Sequence, residues 1–340
     1  MDKSALEITF NEKGQCNFCD EAQKQLASIK PLQTELARWT LVRDMHRARS
    51  EDENAYDCLI GLSGGADSSF LLTLAVKYGL KPLCFSVDNG WNDPRADENI
   101  MRLVEGLKVP FIKIVIDQNK FTSLQSAFMK AGVLNIEIPT DHVLMAVSYE
   151  LAAKYKIKYI LSGGNVATES IMPASWGYSA RDLTHIEDIY TKMTGRKLEG
   201  IPTCSIWKWN YYRWIKRIKT VYFLDYFQYD RKSAIAYLNQ RFGWLDYGDK
   251  HEESLFTCWF QNFYLFQKYS IDKRKAHYSS MINSGQMTRN EALDRLTASP
   301  IYPMLGLESK VLEYPKRSHD EFLKDKWYPR IAAAVKLCRL

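Results

Sequence analysis

No apolar run in this 340-residue chain reaches the roughly 18 residues needed to span a bilayer, so a helical membrane anchor is not expected. Residues 1–30 lack a basic stretch followed by an apolar core, which argues against a secretory leader and for a cytoplasmic protein. The seven cysteines are odd in number and unevenly spread, unlike a disulfide framework. Internal repeats and low-complexity stretches are also missing. Charge of one sign is in small excess: Lys+Arg 46 against Asp+Glu 40 gives +6, compatible with anionic small molecules. Nucleic-acid binding would need that charge gathered on one face. With 46% hydrophobic and 25% charged residues, wholesale disorder is excluded. At roughly 150 residues per domain, the length suggests two domains and a sizeable core.

The pattern changes along the chain. Residues 1–19 show no periodicity and contain Gly14 and a Cys16-x-x-Cys19 pair. Residues 20–49 read as helical with a break at Pro31, and the acidic 50–54 as a surface linker. Apolar strands are then expected at 57–62, 82–88, 110–117 and 157–163, with helices at 68–79, 94–107, 121–131 and 141–155. Such alternation predicts an α/β fold, a doubly wound parallel sheet with helices on both faces. Asp93-Pro94 supplies an N-cap and an N1 proline for one of these helices. Beyond residue 230 helices take over. Asp230 is placed to cap a helix that Gly243 ends, and Thr288 with Glu291 has capping-box spacing. The expected division is a cysteine-containing segment and helix at 1–50, the α/β domain at 51–229 and a mostly α-helical region at 230–340. A basic helix in the last 35 residues is read as a docking element.

The most informative stretch follows the first strand: Ser63-Gly64-Gly65-Ala66-Asp67-Ser68-Ser69, running into an apolar helix. Adjacent glycines let several backbone N–H groups turn toward one point, which the positive end of the helix dipole also faces. That is a phosphate cradle. It lacks the length and Gly-Lys-Ser/Thr ending of a Walker A loop, and it is no G-x-G-x-x-G fingerprint. Ser86-Val87-Asp88-Asn89-Gly90 closes the second strand and Ser162-Gly163-Gly164-Asn165 the fourth. Alone, each is an ordinary turn signal. Together they meet at the carboxyl ends of parallel strands, where open α/β sheets bind ligands.

The heptapeptide resembles the SGGxDS signature of the PP-loop ATP pyrophosphatases, a HUP-like fold. The resemblance implies that ATP is cleaved between its α and β phosphates, with AMP passed to an oxygen of the substrate. It implies Ser63, Gly64, Gly65, Ser68 and Ser69 on phosphate and Asp67 placing Mg²⁺. Val87 and Asp88 would read adenine, and Gly163 and Gly164 would face the nucleotide. Further motifs are Pro139-Thr140-Asp141-His142, YGDKHEES at 247–254, YSIDKR at 269–274, HYSS at 277–280, INSGQMTRNEAL at 282–293 and FNEKGQCNFC at 10–19. In this order they resemble the N-acetyl sugar amidotransferases of lipopolysaccharide and flagellin-sugar pathways. That resemblance implies conversion of an acetamido group on a UDP-linked N-acetyl sugar to an acetamidino group, with ammonia from a separate class I glutaminase subunit. Asp141 would orient the acetamido nitrogen or assist Mg²⁺. His142, Lys250, His251, Lys273 and Arg274 would clamp the sugar nucleotide, solvated surface charge being the alternative for each.

Cys16-x-x-Cys19 resembles half a zinc knuckle, with Cys204 and Cys258 as candidate partners for a structural Zn²⁺. A plain reduced pair or a redox pair are the alternatives. Cys58 and Cys84 fall in buried strands and read as inert packing. Residues 207–229 mix aromatic and basic residues, which suggests base stacking on RNA, a membrane-surface helix or a packed helical face. Helical spacing of Trp207, Tyr211, Trp214, Ile218 and Tyr222 favours the packed face, against core or another subunit. Two other functions compete with the sugar amidotransferase. A PP-loop tRNA-modifying enzyme of the thiolation or lysidine type would explain the aromatic-basic stretch, yet Thr140-Asp141 stands where a catalytic cysteine would be sought. A non-catalytic ATP-binding regulatory module would not need the carboxylate of Asp67.

Overall fold

A computed structural model describes residues 1–51, 55–248, 250 and 252–322. The chain enters through helices α1 (Asn17–Ile29) and α2 (Glu35–Ala48), separated by a short 3₁₀ turn at Lys30–Gln33 that holds Pro31. Then follow β1 (Cys58–Gly61), α3 (Ala66–Lys77), β2 (Pro82–Asp88), α4 (Pro94–Leu107), β3 (Phe111–Val115), α5 (Gln118–Ala131), α6 (Ile138–Lys154) and β4 (Tyr159–Ser162). After α7 (Val166–Glu169), α8 (Leu183–Thr194) and α9 (Ile206–Asn210) comes a fifth strand, β5 (Lys219–Tyr222). The sheet order is β3-β2-β1-β4-β5, every pair parallel. Strand order therefore reverses at β1, and a crevice opens where β1 and β4 diverge at their carboxyl ends.

Alternation along the strands sends side chains to two cores. Leu59, Phe85 and Ile160 pack on one face with α5, α6 and α8 residues such as Phe121, Val147 and Ile189. Cys58, Ile60, Cys84 and Leu161 pack on the other with Leu71, Ile100 and Met45. Both strand cysteines are buried, as expected, and burial pushes the Cys84 thiol up to about 12. The C-terminal helices share these cores. Leu238 of α10 (Arg231–Phe242) and the buried Trp244 join the α3 side. Phe256 and Trp259 of α11 (Leu255–Trp259) and Tyr264 of the π-helical stretch after it join the other. Each large side chain so buried contributes about 2–3 kcal/mol. Three further helices, α12 (Arg274–Asn283), α13 (Arg289–Thr297) and α14 (Glu308–Glu313), complete the described chain with a short 3₁₀ turn at His319–Phe322.

The caps are where the residues promise them. Asp93 accepts from the Arg95 N–H at 2.8 Å, Asp230 from Ser233 at 2.8 Å and Thr288 from Glu291 at 3.1 Å, while Gly243 ends α10 at φ 64°. No helix among the described residues is long and apolar enough to cross a membrane. The proposed basic helix in the last 35 residues lies outside the described residues from position 323 onward.

One expectation fails. Residues 207–222 do not form a single helical face: α9 widens into a π-turn at Tyr211–Ile215, Arg217 adopts φ 56°, and the chain then extends as β5. Within that stretch Trp209, Tyr212 and Ile218 are buried, Ile218 alone of the expected face, while Trp207 is 77% and Trp214 59% exposed. The cause is the pairing of β5 with β4, from Tyr159↔Lys219 to Ser162↔Tyr222, which the helix must stop to allow.

Gly64, between β1 and α3, has φ +79°, and a Cβ there would lie 2.3 Å from the Ala96 carbonyl oxygen of α4. Gly79 has almost the same φ, +78°, but open space around it. Gly79→Ala is expected to cost about 1 kcal/mol of left-handed strain. Gly64→Ala adds about 1–3 kcal/mol of overpacking. Urea denaturation of both variants checks this; equal losses would contradict the close approach.

Candidate active site

The cradle between β1 and α3 is held by its own serines. Ser63 Oγ accepts from the Gly65 N–H at 3.2 Å, and Ser68 Oγ accepts from the Ser63 N–H at 3.3 Å while donating to the Gly65 carbonyl at 3.2 Å. The two hydroxyls lie 3.2 Å apart. Gly65 precedes α3 in an extended conformation, so the first turn of a twelve-residue helix presents its N–H groups here. Gly163, at the end of β4, comes so near that a Cβ would lie 3.1 Å from the Ser68 nitrogen, and one on Gly164 would lie 3.1 Å from the Tyr222 ring. Val87 lines the same crevice. Asp88 instead holds its own turn, accepting from the Gly90 N–H at 3.0 Å and pairing with Lys113 at 2.9 Å. Ser69 turns away: it is buried and accepts from the Trp244 indole N–H at 3.2 Å.

Asp67 sits at the centre of a buried charge bridge. Lys250 Nζ lies 2.7 Å from Asp67 Oδ2 and 2.9 Å from Glu169 Oε1, and donates to Thr168 Oγ1 at 2.6 Å. The second Asp67 oxygen accepts from the Tyr229 hydroxyl. Burial alone would lower the Lys250 pKa, but the two carboxylates outweigh it and the net shift is upward. Tyr247 and Glu253, on the same segment as Lys250, each bring an oxygen to 3.0 Å from the place of a Gly65 Cβ. The segment from 244 to 254 thus walls the cradle.

A second cluster lies at the start of α6. Glu137 is buried, accepts from Thr257 Oγ1 at 2.9 Å, and has its carboxyl pushed up to about 8 by burial and by the neighbouring Asp141. Lys273 feels Asp141, Glu137 and Glu169, yet burial still holds its ammonium below the ordinary lysine range. Glu137 and Asp141 line the same cavity as Ser63, Asp67 and Lys250, a space of about 1440 Å³. The cavity runs from Val87 past the cradle and Asp141 to Arg181, Arg213 and Tyr222.

Asp67, Asp141 and Lys250 are therefore brought together, with Lys273 beside them. His142 is not among them. Its Nδ1 donates to the Ala180 carbonyl at 2.6 Å and its Nε2 accepts from the Cys204 N–H at 3.1 Å, so both ring nitrogens are used inside the fold and burial holds its pKa down. Arg274 forms a two-pronged pair with Asp272 at 3.0 and 2.7 Å and donates to the Ala298 carbonyl at 3.0 Å, which makes it a clamp on the chain. His251 lies outside the described residues. The residues that sequence reasoning missed are Glu137, Glu169 and Arg181, of which Glu137 stands two positions before Pro139. Arg213, Arg217 and Tyr229 fall in the aromatic-basic stretch at 207–229, which helical spacing assigned to a packed face.

The expected zinc site does not assemble. Cys16 and Cys19 do meet, Sγ to Sγ 3.5 Å, at the start of α1. The Cys204 thiol instead contacts the Ser205 carbonyl at 3.7 Å and the Cys258 thiol the Ile301 carbonyl at 3.8 Å. Among the described residues no three His, Cys, Asp or Glu side chains gather to hold a metal. A tetrahedral ion needs four such donors, and these residues do not fit one.

Residues 253–329 match the family model described as LPS biosynthesis protein WbpG-like, C-terminal domain. A search of curated proteins gives no match. Among solved structures, NMN synthetase from Francisella tularensis is similar at 17% identity over 60% of this chain and 97% of that one, with a TM-score of 0.30. NH₃-dependent NAD synthetase from Campylobacter jejuni is similar at 15% identity over 67% of this chain and 99% of that one, with a TM-score of 0.31.

Two outcomes follow from the charges. Lys250→Met leaves Asp67 and Glu169 uncompensated and is expected to cost on the order of 3 kcal/mol. A loss near zero in chemical denaturation would contradict the bridge. Glu137 keeps its proton in the folded state up to about 8 and releases it near 4.5 when unfolded, so its contribution to stability falls as pH rises between those values. Glu137→Gln should remove that fall, about 5 kcal/mol in all; identical slopes in both proteins would refute the assignment.

Proposed function

We propose that this chain is an ATP-dependent amidotransferase of surface-glycan biosynthesis, acting in the cytoplasm on a UDP-linked N-acetyl sugar. The observation that carries the reading is a convergence. Ser63, Gly65, Asp67 and Ser68 of the cradle and Asp141 line one cavity, and Glu253, Ser254 and Thr257 from the WbpG-like segment line it too.

The chemistry explains why such a cavity is wanted. An amide carbonyl is a poor electrophile and its oxygen a poor leaving group. Attack of that oxygen on the α phosphorus of ATP expels pyrophosphate and gives an O-adenylated imidate. Ammonia then adds to the imidate carbon, AMP departs with the former amide oxygen, and an amidinium remains. The backbone N–H groups of the cradle and the Ser63 and Ser68 hydroxyls hold the leaving pyrophosphate. Lys250, shared between Asp67 and Glu169, keeps a cation beside it. Asp141 accepts the acetamido N–H, which raises electron density on the attacking oxygen. The Asp141–Glu137 pair then takes the proton that the added ammonia must shed.

The hard carboxylate oxygens of Asp67 at the phosphate cradle fit Mg²⁺, which is typically held by one or two carboxylates and substrate phosphates. Bound there, it would offset phosphate charge. Ammonia is expected from a glutaminase subunit, since Cys58 and Cys84 are buried in the sheet and offer no nucleophile.

Release of AMP and pyrophosphate from ATP, with Mg²⁺, ammonium chloride and a panel of UDP-linked N-acetamido sugars, tests the reading. AMP formation should depend on the sugar, fall about 100-fold or more in Asp67→Asn and Asp141→Asn, and yield a sugar product one mass unit lighter. Turnover with tRNA alone, or ADP as product, would overturn it.

A further inference from the structure

The cavity has a second lobe that neither the cradle nor the Asp141 cluster uses. From Ser179 to Tyr222 its described lining carries Arg181, Arg213, Arg217 and Lys219 and no carboxylate, whereas Asp67, Glu137, Asp141 and Glu253 come from the cradle, α6 and the segment before α11, and Glu169 reaches Gly164 at the edge of the Tyr222 ring. Charge is thus unevenly spread within one space. Arg181 and Arg213 both stand over the Trp209 ring, 4.7 and 5.2 Å from its centre, so two guanidiniums are held beside one indole. Cations gathered along one stretch of a cavity wall favour an anion in that space. Among the described residues neither Arg213 nor Arg217 pairs with a carboxylate; Arg213 rests only on Trp209 and Trp214. The backbone is specialised here as well: a π-turn at Tyr211–Ile215 and a left-handed Arg217 at φ 56°, features that tend to mark working sites. The half-exposed rings of Trp214 and Tyr222 complete the lining, Tyr222 packed on Gly164 at the crevice.

Topology says which molecule belongs there. With strand order β3-β2-β1-β4-β5, Val87 on β2 lies to one side of the cradle and this lobe, beside β4 and β5, to the other. A nucleotide running from the cradle toward Val87 leaves the lobe free. We infer that Arg181, Arg213 and Arg217, with Trp214 and Tyr222, bind the nucleoside diphosphate handle of the second substrate: guanidiniums on the diphosphate, an aromatic face on the base. Its sugar then points back toward Asp141. The inference rests on the proposed amidotransferase reading and moves the sugar-nucleotide clamp away from His142 and Arg274.

Binding tests it without turnover. UDP, UDP-N-acetylglucosamine and a non-hydrolysable ATP analogue are titrated calorimetrically into the full-length protein and into Arg213→Ala and Arg217→Asn, the asparagine tolerating the left-handed backbone. Each substitution should weaken both UDP ligands about tenfold or more and leave the ATP analogue within about twofold, which also reports that the variants are folded. Arg213→Lys should recover part of the affinity. Unchanged UDP affinity, equal loss of the ATP analogue, no UDP binding by the wild type, or oligouridylate RNA displacing UDP with higher affinity would each overturn the inference. If UDP binding depends on the arginines while no sugar yields AMP, the function fails and the subsite stands. If sugar-dependent AMP forms with an unchanged KM in the variants, the reverse holds.

Discussion

The bridge from Asp67 through Lys250 to Glu169 is the interaction on which the site depends. It joins three parts of the chain that are far apart in sequence: the cradle after β1, the short helix after β4 and the segment that follows α10. A lysine with 11% of its side chain exposed cannot be left there without partners, and two carboxylates cannot be left there without it. Each therefore fixes the others. Because Tyr247 and Glu253 flank Lys250, the same bridge brings the wall of the cradle into place.

What the residues announced, and what they hid, divides along physical lines. Four strands, the cradle and three helix caps were legible because each rests on local rules: apolar runs, adjacent glycines and Asx or Thr caps. β5 was not. Lys219, Thr220 and Tyr222 are exposed on an edge strand, and nothing apolar distinguishes four such residues from the helix before them. Reading 207–222 with one period ran through a π-turn that resets it. His142 misled for a simpler reason. Adjacent helix residues point about 100° apart, so a helix that turns Asp141 to the cavity carries His142 into the fold. Arg274 had its partner two residues away in Asp272, a local pairing that a search for substrate contacts overlooks. Cys204 and Cys258 had no spacing to relate them to Cys16 and Cys19, and they do not join them. Arg181 carried no motif, and Arg213 and Arg217 sat in the aromatic-basic stretch at 207–229 without a spacing that places them on a cavity wall; only the fold brings the three together.

The cavity separates its electrical tasks. Carboxylates cluster where a cation or a proton must be handled, around Asp67 and around Asp141 with Glu137. Arginines and a lysine gather at the β4–β5 side. Glu137, its carboxyl pushed up to about 8 by burial and by Asp141, can give and take a proton near neutral pH. The cradle itself needs no charge of its own beyond the helix end and its N–H groups. Such a division lets one cavity hold two phosphorylated molecules without forcing their phosphates together.

The proposed chemistry turns on the activation of an amide oxygen by ATP. The direct measurement follows that oxygen: the sugar substrate is made with ¹⁸O in the acetamido carbonyl, turned over with ATP and ammonium, and the AMP is weighed by mass spectrometry. One ¹⁸O in each AMP formed is the expected result. AMP without the label, or label released into water, would contradict it.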